Sequence, residues 1–359
     1  MKISLQQKIE GLLIGTAVAD AIGLPTEGMT PEKIRKLGWA RDLKHRFIFG
    51  KGMWSDDTEQ TIMLAQSLLH AKGNLQKFTR SFAWELRWWI LGMPAATGLA
   101  TARAIIKLWL GVPPAKSGVW SAGNGAAMRT APIAAFFPDD AEKRKLFTIA
   151  QCRITHSDPK AAIASLAITE LCHLLLQADA PPSARHVLEI ARAVSDDSEW
   201  QEIIKLIESS IEAQTGLPEL LESLGASPHK GISGYVYETV PAVILAGVRN
   251  RWGFEGTIKE LIAAGGDTDT TAAIAGALCG ALGGKSCVPH DWIQNLHEWP
   301  VRKARLTSLA GNLLRHTPHR IRPRWSPLLI LRNLTFLAIV LSHGLARLFP
   351  VLLRPSQKS

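Results

Sequence analysis

Cysteine is scarce. The 359 residues include four, Cys152, Cys172, Cys279 and Cys287, and no two stand as Cys-x-x-Cys. That excludes a disulfide scaffold and a zinc ribbon, and a reduced, cytoplasmic protein is expected. Alternating runs of the β type are few, and neither an internal repeat nor a low-complexity tract is present. Acidic residues are missing after Glu298, whereas residues 301–359 carry 11 Lys/Arg. The other 300 residues hold 30 basic and 31 acidic side chains, so the net charge of +10 belongs to the tail. A nucleic-acid groove needs a basic stripe on the folded body, and no nucleic-acid partner is expected. The tail's charge points instead to an anionic membrane surface or an acidic partner. At 47% hydrophobic and 20% charged residues the chain is not disordered.

What is present is helical periodicity. Residues 59–70, 78–91, 95–110, 160–176, 184–194, 202–213, 240–248 and 270–282 read as helices. Connections at 25–31, 111–125, 138–140, 181–183 and 225–234 are rich in Gly and Pro. Residues 234–240 are the best strand candidate. Near the N-terminus, Lys2 and Lys8 precede the apolar run 11–22, but Asp20 interrupts it and no Ala-x-Ala site follows, so a signal peptide is not expected. Gly11, Gly15, Ala19 and Gly23 recur every four positions, a small-residue helical face that lets another helix approach closely.

An all-α domain over 1–312 follows, then a Pro- and Arg-rich linker at 316–327 and an apolar tail, the segment 313–359 standing apart from the domain. In the tail, Arg332, His343 and Arg347 fall within about 60° of one another at helical spacing. Fourteen residues separate Arg332 from Arg347, short of the roughly 20 that span a bilayer. The tail is expected either to lie on a membrane surface, with a peripheral location, or to dock on its own domain or on another subunit.

Two segments place oxygen ligands at the head of an apolar helix. One is Trp54-Ser-Asp-Asp-Thr-Glu-Gln, the other Gly265-Gly-Asp-Thr-Asp-Thr-Thr. Each alone is explained by helix capping and the helix dipole. Together, Ser55, Asp56, Asp57 and Thr58 with Asp267, Asp269 and Thr270 form a dense oxygen set. If the heads converge, four carboxylates cannot all stay ionised without cations. Oxygen donors with no nearby His or Cys select Mg²⁺ or Mn²⁺ over Zn²⁺. An EF-hand is excluded, since position 6 of a loop starting at Asp267 is Ala272 and no Glu closes it.

The residues resemble the ADP-ribosylglycohydrolase family, which includes the dinitrogenase reductase-activating glycohydrolase. The resemblance covers most of residues 8–300. It rests on Gly11-x-x-x-Gly-x-Ala-x-Ala-Asp-Ala-x-Gly-x-Pro-x-Glu27, Ser55-Asp-Asp-Thr58, Gly123-Asn-Gly-Ala-Ala-Met-Arg129, Thr155-His156 and Gly265-Gly-Asp-Thr-Asp-Thr270, in family order. It implies an orthogonal all-α multi-helix bundle with a binuclear Mg²⁺ or Mn²⁺ centre. By position, Ser55, Asp56, Asp57, Asp267, Asp269 and Thr270 match its metal ligands. Glu27 matches an acid on a mobile loop with an assigned catalytic role, and Asp56 and Asp269 are expected to share in catalysis. Ser121, Gly123 and Asn124 match the loop that holds diphosphate and ribose; a Gly-rich loop at a helix start suits an anion. His156 matches a ligand-facing histidine, and Gly266 is expected beside the substrate. Read alone, Glu27 is a loop acid, Asn124 a turn residue, His156 a helix cap and Tyr235 a core aromatic.

The implied activity is hydrolysis of the glycosidic bond between ADP-ribose and a modified protein side chain, arginine ahead of others. A hydrolase of small ADP-ribose conjugates and a non-catalytic binding relative are the alternatives; retention of Glu27, Asp56, Asp57, Asp267 and Asp269 argues against the latter.

Overall fold

Helices carry the whole architecture among the described residues, which in this computed structural model are 3–95, 97–318 and 327–346. The first nine are α1 (Leu5–Gly23), α2 (Pro31–Leu37), α3 (Asp56–Ala71), α4 (Leu75–Ile90), α5 (Leu99–Trp109), α6 (Ala131–Phe136), α7 (Ala141–Thr155), α8 (Pro159–Gln177) and α9 (Ala184–Ala193). The rest are α10 (Ser198–Glu212), α11 (Leu217–Ser223), α12 (Val236–Arg249), α13 (Phe254–Ala264), α14 (Thr268–Gly283), α15 (His290–Asn295), α16 (Ala304–Arg315) and α17 (Pro327–Ala346). No strand occurs among the described residues, only isolated bridges between loops.

The apolar N-terminal run is the central helix of the core. Its small-residue stripe meets a second stripe on α14. A Cβ on Gly15 would stand 2.2 Å from the Gly276 carbonyl oxygen, and one on Gly11 would stand 2.4 Å from that of Gly280. Gly23 lies equally close to Thr268. The two helices therefore run antiparallel, backbone against backbone. This order brings the C-terminal end of α1, with Asp20, to the acidic head of α14.

Helix starts follow their capping residues. Ser55, Asn74, Asp158, Ser183 and Asp197 each accept a backbone N–H in the first turn of α3, α4, α8, α9 and α10. The strand expected at 234–240 is not formed. A single bridge joins Gly123 to Tyr235, and α12 begins at Val236. Val236, Tyr237, Thr239 and Val240 are all buried, so the apolar pattern reflects a helix enclosed on several sides. Packing overrides the β-propensity of the Val-Tyr pairs.

α16 runs through residue 312, the expected domain limit, with Leu306, Leu309 and Leu313 in the main core. α17 docks on the same body through Leu329, Arg332, Asn333 and Phe336. The Asn333 amide donates to the Gly92 carbonyl at 2.7 Å, and a His343 ring nitrogen lies 3.2 Å from the Pro25 carbonyl. The basic strip read from the tail thus faces inward at Arg332 and His343. Residues 319–326 of the linker, and 347–359 with Arg347, lie outside the described residues.

Candidate active site

The first acidic head is shaped by a carboxylate from α1. Asp20 is wholly buried and accepts the backbone N–H of Ser55 at 3.0 Å, that of Thr58 at 3.2 Å and the Thr58 hydroxyl at 2.6 Å. These bonds fix the turn that starts α3. Ser55 caps the helix, and its hydroxyl donates to the Asp57 carboxylate at 3.0 Å. Asp56 accepts from the Gln60 amide at 2.8 Å.

The second head is set by two glycines in left-handed conformations, Gly265 (φ 68°) and Gly266 (φ 81°). Gly266 donates to the Met29 carbonyl at 2.9 Å, and its own carbonyl accepts from Gly28 at 2.8 Å. The Asp267 N–H donates to the Ile232 carbonyl at 2.7 Å. These crossings tie the Glu27 loop to the start of α14. The Asn124 amide reaches across to Asp267 at 2.7 Å and to the Thr239 hydroxyl at 3.0 Å. Thr270 donates to Asp57 at 3.4 Å, joining the two heads directly.

Electrostatics confirm the crowding. Asp56, Asp57 and Asp269 are pushed well above the usual carboxylate range, first by burial and then by neighbouring acids. For Asp56 these are Asp20, Glu59, Glu27 and Asp267; for Asp57 they are Asp20, Asp56 and Asp267; for Asp269 they are Glu27, Asp267 and Asp57. Burial raises Asp20 to about 6 against the pull of its hydrogen bonds. Asp57 Oδ1 and Asp269 Oδ1 are buried with no hydrogen-bond partner. Among the described residues no three His, Cys, Asp or Glu side chains form a closed ligand set by themselves. The fit to a cation therefore rests on the two orphan oxygens and on the hydroxyls of Ser55 and Thr270 beside them. Orphan carboxylate oxygens in an all-oxygen set suit a hard divalent ion.

Beside the acids opens a cleft of about 330 Å³. Glu27, Asp56, Asp267, Asp269 and Thr270 line one part of it, and Ser121, Gly123, Asn124 and His156 another. Ser55 and Asp57 stand behind this surface. Gly266, expected beside the substrate, lines no part of the cleft; a Cβ there would meet the Ile232 carbonyl at 2.0 Å, and its place is in the backbone crossing. Tyr235, too, is off the cleft and bonds Lys160 at 3.0 Å.

His156 does not cap α8, whose cap is Asp158. It is buried, and burial followed by the Arg129 charge lowers its pKa to about 3, so the ring is neutral. Thr155 accepts from Arg129 at 2.6 Å, and its hydroxyl stands 2.8 Å from His156 Nδ1. Nε2 stands on the side of Gly123, 3.3 Å from its Cβ position.

Reading the sequence missed three contributors. Asp20 was visible as a charge inside an apolar run, and such a buried carboxylate must be hydrogen-bonded. Arg129 is fully buried, bonds Gln151, Gln60 and Thr155, and links Asp56 through Gln60 to His156. The first turn of α5, from the glycine cap Gly98 to Thr101, also lines the cleft; a helix start without a side-chain cap carries no composition signal.

A buried two-headed carboxylate site thus stands at the convergence of α1, α3 and α14 in an all-α bundle. The sequence profile of the ADP-ribosylglycohydrolases matches residues 1–322. The chain is 29% identical over 325 residues to the ADP-ribosyl-[dinitrogen reductase] glycohydrolase of Rhodospirillum rubrum, covering 86% of this chain and 98% of that protein. It is 26% identical to the ADP-ribosylarginine hydrolase Tri1 of Serratia proteamaculans, over 87% of this chain and 80% of that one. A solved ADP-ribosylglycohydrolase-related protein complex superposes with a TM-score of 0.64 at 25% identity, over 87% of this chain and 99% of that one. The chain belongs to the ADP-ribosylglycohydrolase family and is a glycosidic-bond hydrolase.

Proposed function

We propose that the protein hydrolyses the glycosidic bond between ADP-ribose and a modified protein side chain, arginine before other linkages, with two divalent cations, Mg²⁺ or Mn²⁺, at the acidic heads. The observation that carries this reading is the convergence of Asp56, Asp57, Asp267, Asp269 and Glu27 beside one cleft, with two orphan carboxylate oxygens among them. The arginine preference draws on the Serratia relative's name.

Ser55, Asp56, Asp57, Asp267, Asp269 and Thr270 would hold the cations. Bound there, they would supply Lewis acidity. The rest follows from the chain's own groups. Glu27 lies on the cleft wall within the field of Asp56 and Asp269, where it exchanges a proton with the attacking water or the leaving group. Asp56 and Asp269 stabilise positive charge that develops at the anomeric carbon. Asn124 holds Asp267 in place. The 123–125 loop, with His156 beside it, forms the wall of the cleft that would face a diphosphate.

The test is release of free ADP-ribose from arginine-, serine- and acid-linked ADP-ribosyl proteins in Mg²⁺, Mn²⁺ or EDTA. Release is expected from the arginine-linked protein, abolished by EDTA and by Asp269→Ala, and reduced about 10²–10⁴-fold by Glu27→Gln. No release from any linkage by metal-loaded protein would overturn the proposal.

A further inference from the structure

α17 is long and apolar enough to cross a bilayer by length and composition, and only 22% of its most apolar 18-residue stretch is buried. Its two faces are inverted relative to a free amphipathic helix. Leu329, Arg332, Asn333 and Phe336 are turned to the domain, within about 100° of arc at helical spacing. Leu328, Leu331, Leu334, Leu341 and Leu345 occupy about 140° on the opposite side and are 42–63% exposed. Further exposed apolar groups lie on the loops that hold the helix. Phe49, 94% exposed, follows Phe47, whose ring packs on Phe336 and His343. Met93, 55% exposed, follows Gly92, whose carbonyl holds Asn333. An exposed apolar face of this kind marks an interaction site.

Charge selects the occupant. No acid follows Glu298, while Arg320, Arg322 and Arg324 precede the helix in sequence and Arg347, Arg354 and Lys358 follow it. A tail that carries cations and no acid complements an anionic bilayer. The helix cannot leave the domain cheaply to span. Arg332 is paired with Glu59 at 3.3 Å and with Glu298, and breaking a buried ion pair is strongly unfavourable.

We propose that the outward leucine face of α17 seats on an anionic membrane surface, with the helix lying in the interface while its polar face stays on the domain. The five leucines enter the headgroup–acyl boundary.

Flotation of the full-length protein with phosphatidylcholine vesicles, and with vesicles that also contain phosphatidylglycerol, tests this. Co-flotation is expected with the anionic vesicles and at least about tenfold weaker with the neutral ones. Leu331→Glu/Leu341→Glu, both on the exposed face, should abolish it while leaving the melting temperature unchanged. Failure of the wild type to float would overturn the proposal. If light scattering then showed a dimer that the double variant converts to monomer, the occupant would be a second copy. Retention in vesicles through alkaline carbonate extraction would equally overturn it, in favour of a spanning helix.

Discussion

The guanidinium of Arg332 donates to the carbonyl of Trp54 at 2.8 Å, and Trp54 is the residue that hands the chain to Ser55. The Trp54 N–H donates to Glu298 at 3.2 Å, the same carboxylate that pairs with Arg332. Both backbone groups of Trp54 are thus held by one ion pair between α17 and the segment before α16. Glu59, one turn into α3, completes the cluster and accepts the Trp89 indole N–H at 2.5 Å. The tail helix buttresses the first acidic head from behind.

Arg332→Ala should therefore destabilise the fold by about 3–5 kcal/mol, since it removes the cation that stands between the buried Glu59 and Glu298 carboxylates. Chemical denaturation would measure this, and Arg332→Met in a Glu59→Gln/Glu298→Gln background should recover most of the loss. Equal losses in the single and triple variants would show that packing, not charge, holds the helix.

Cation binding should stabilise the protein more as pH rises. Asp20, Asp56, Asp57 and Asp269 have folded pKa values above their unfolded ones. In the metal-free protein the folded state then binds the extra protons, and stability falls as pH increases through the window from about 4 to about 6 for Asp20, at up to about 1.4 kcal/mol per unit and group. A divalent ion replaces those protons. The rise in melting temperature on adding Mg²⁺ or Mn²⁺ should be larger at pH 7.5 than at pH 5. An equal rise at both would remove the acidic heads as the binding site.

Much of this site was legible in the sequence because it is built from helix starts, whose chemistry is local. Ser55-Asp-Asp-Thr58 and Gly265-Gly-Asp-Thr-Asp-Thr270 advertise themselves through capping residues and positive-φ glycines. The repeat of Gly11, Gly15 and Gly23 announced a close helix crossing, though not that α14 was its partner. Other features depend on distant residues. Periodicity gave the tail helix its basic strip but not its direction, which Glu59 and Glu298 decide from elsewhere in the chain. Asp20 looked like an interruption until its acceptors were filled by Ser55 and Thr58. The strand expected at 234–240 failed because alternation over a few residues cannot distinguish a sheet from a fully enclosed helix.

The glycine crossing should tolerate no side chain. In Gly276→Ala the new methyl would lie 2.3 Å from the Gly15 carbonyl oxygen and 2.6 Å from the Ala19 Cβ. Relief requires that α1 and α14 separate, which would also part Asp20 and Asp269. A loss of about 1–3 kcal/mol or more in thermal or chemical denaturation is expected, with weaker Mn²⁺ binding by titration calorimetry. Unchanged stability would mean that the helices sit farther apart than described.

His156 should leave a signature in the acid limb of stability. Its folded pKa, about 3, lies below the 6.5 of the unfolded chain. Between those values the unfolded state binds the extra proton, so the contribution of His156 is fully present above pH 6.5 and is lost as pH falls towards 3. The carboxylates act in the opposite sense over part of this window, and raw curves would mix the two. The difference between wild type and His156→Gln removes the shared carboxylate part. That difference should favour the wild type least at pH 4 and most at pH 7, changing by at most about 1.4 kcal/mol per pH unit. Denaturant titrations at a series of pH values would measure it. A flat difference would mean that His156 titrates in the folded protein as it does in the unfolded chain, which would overturn its burial beside Arg129.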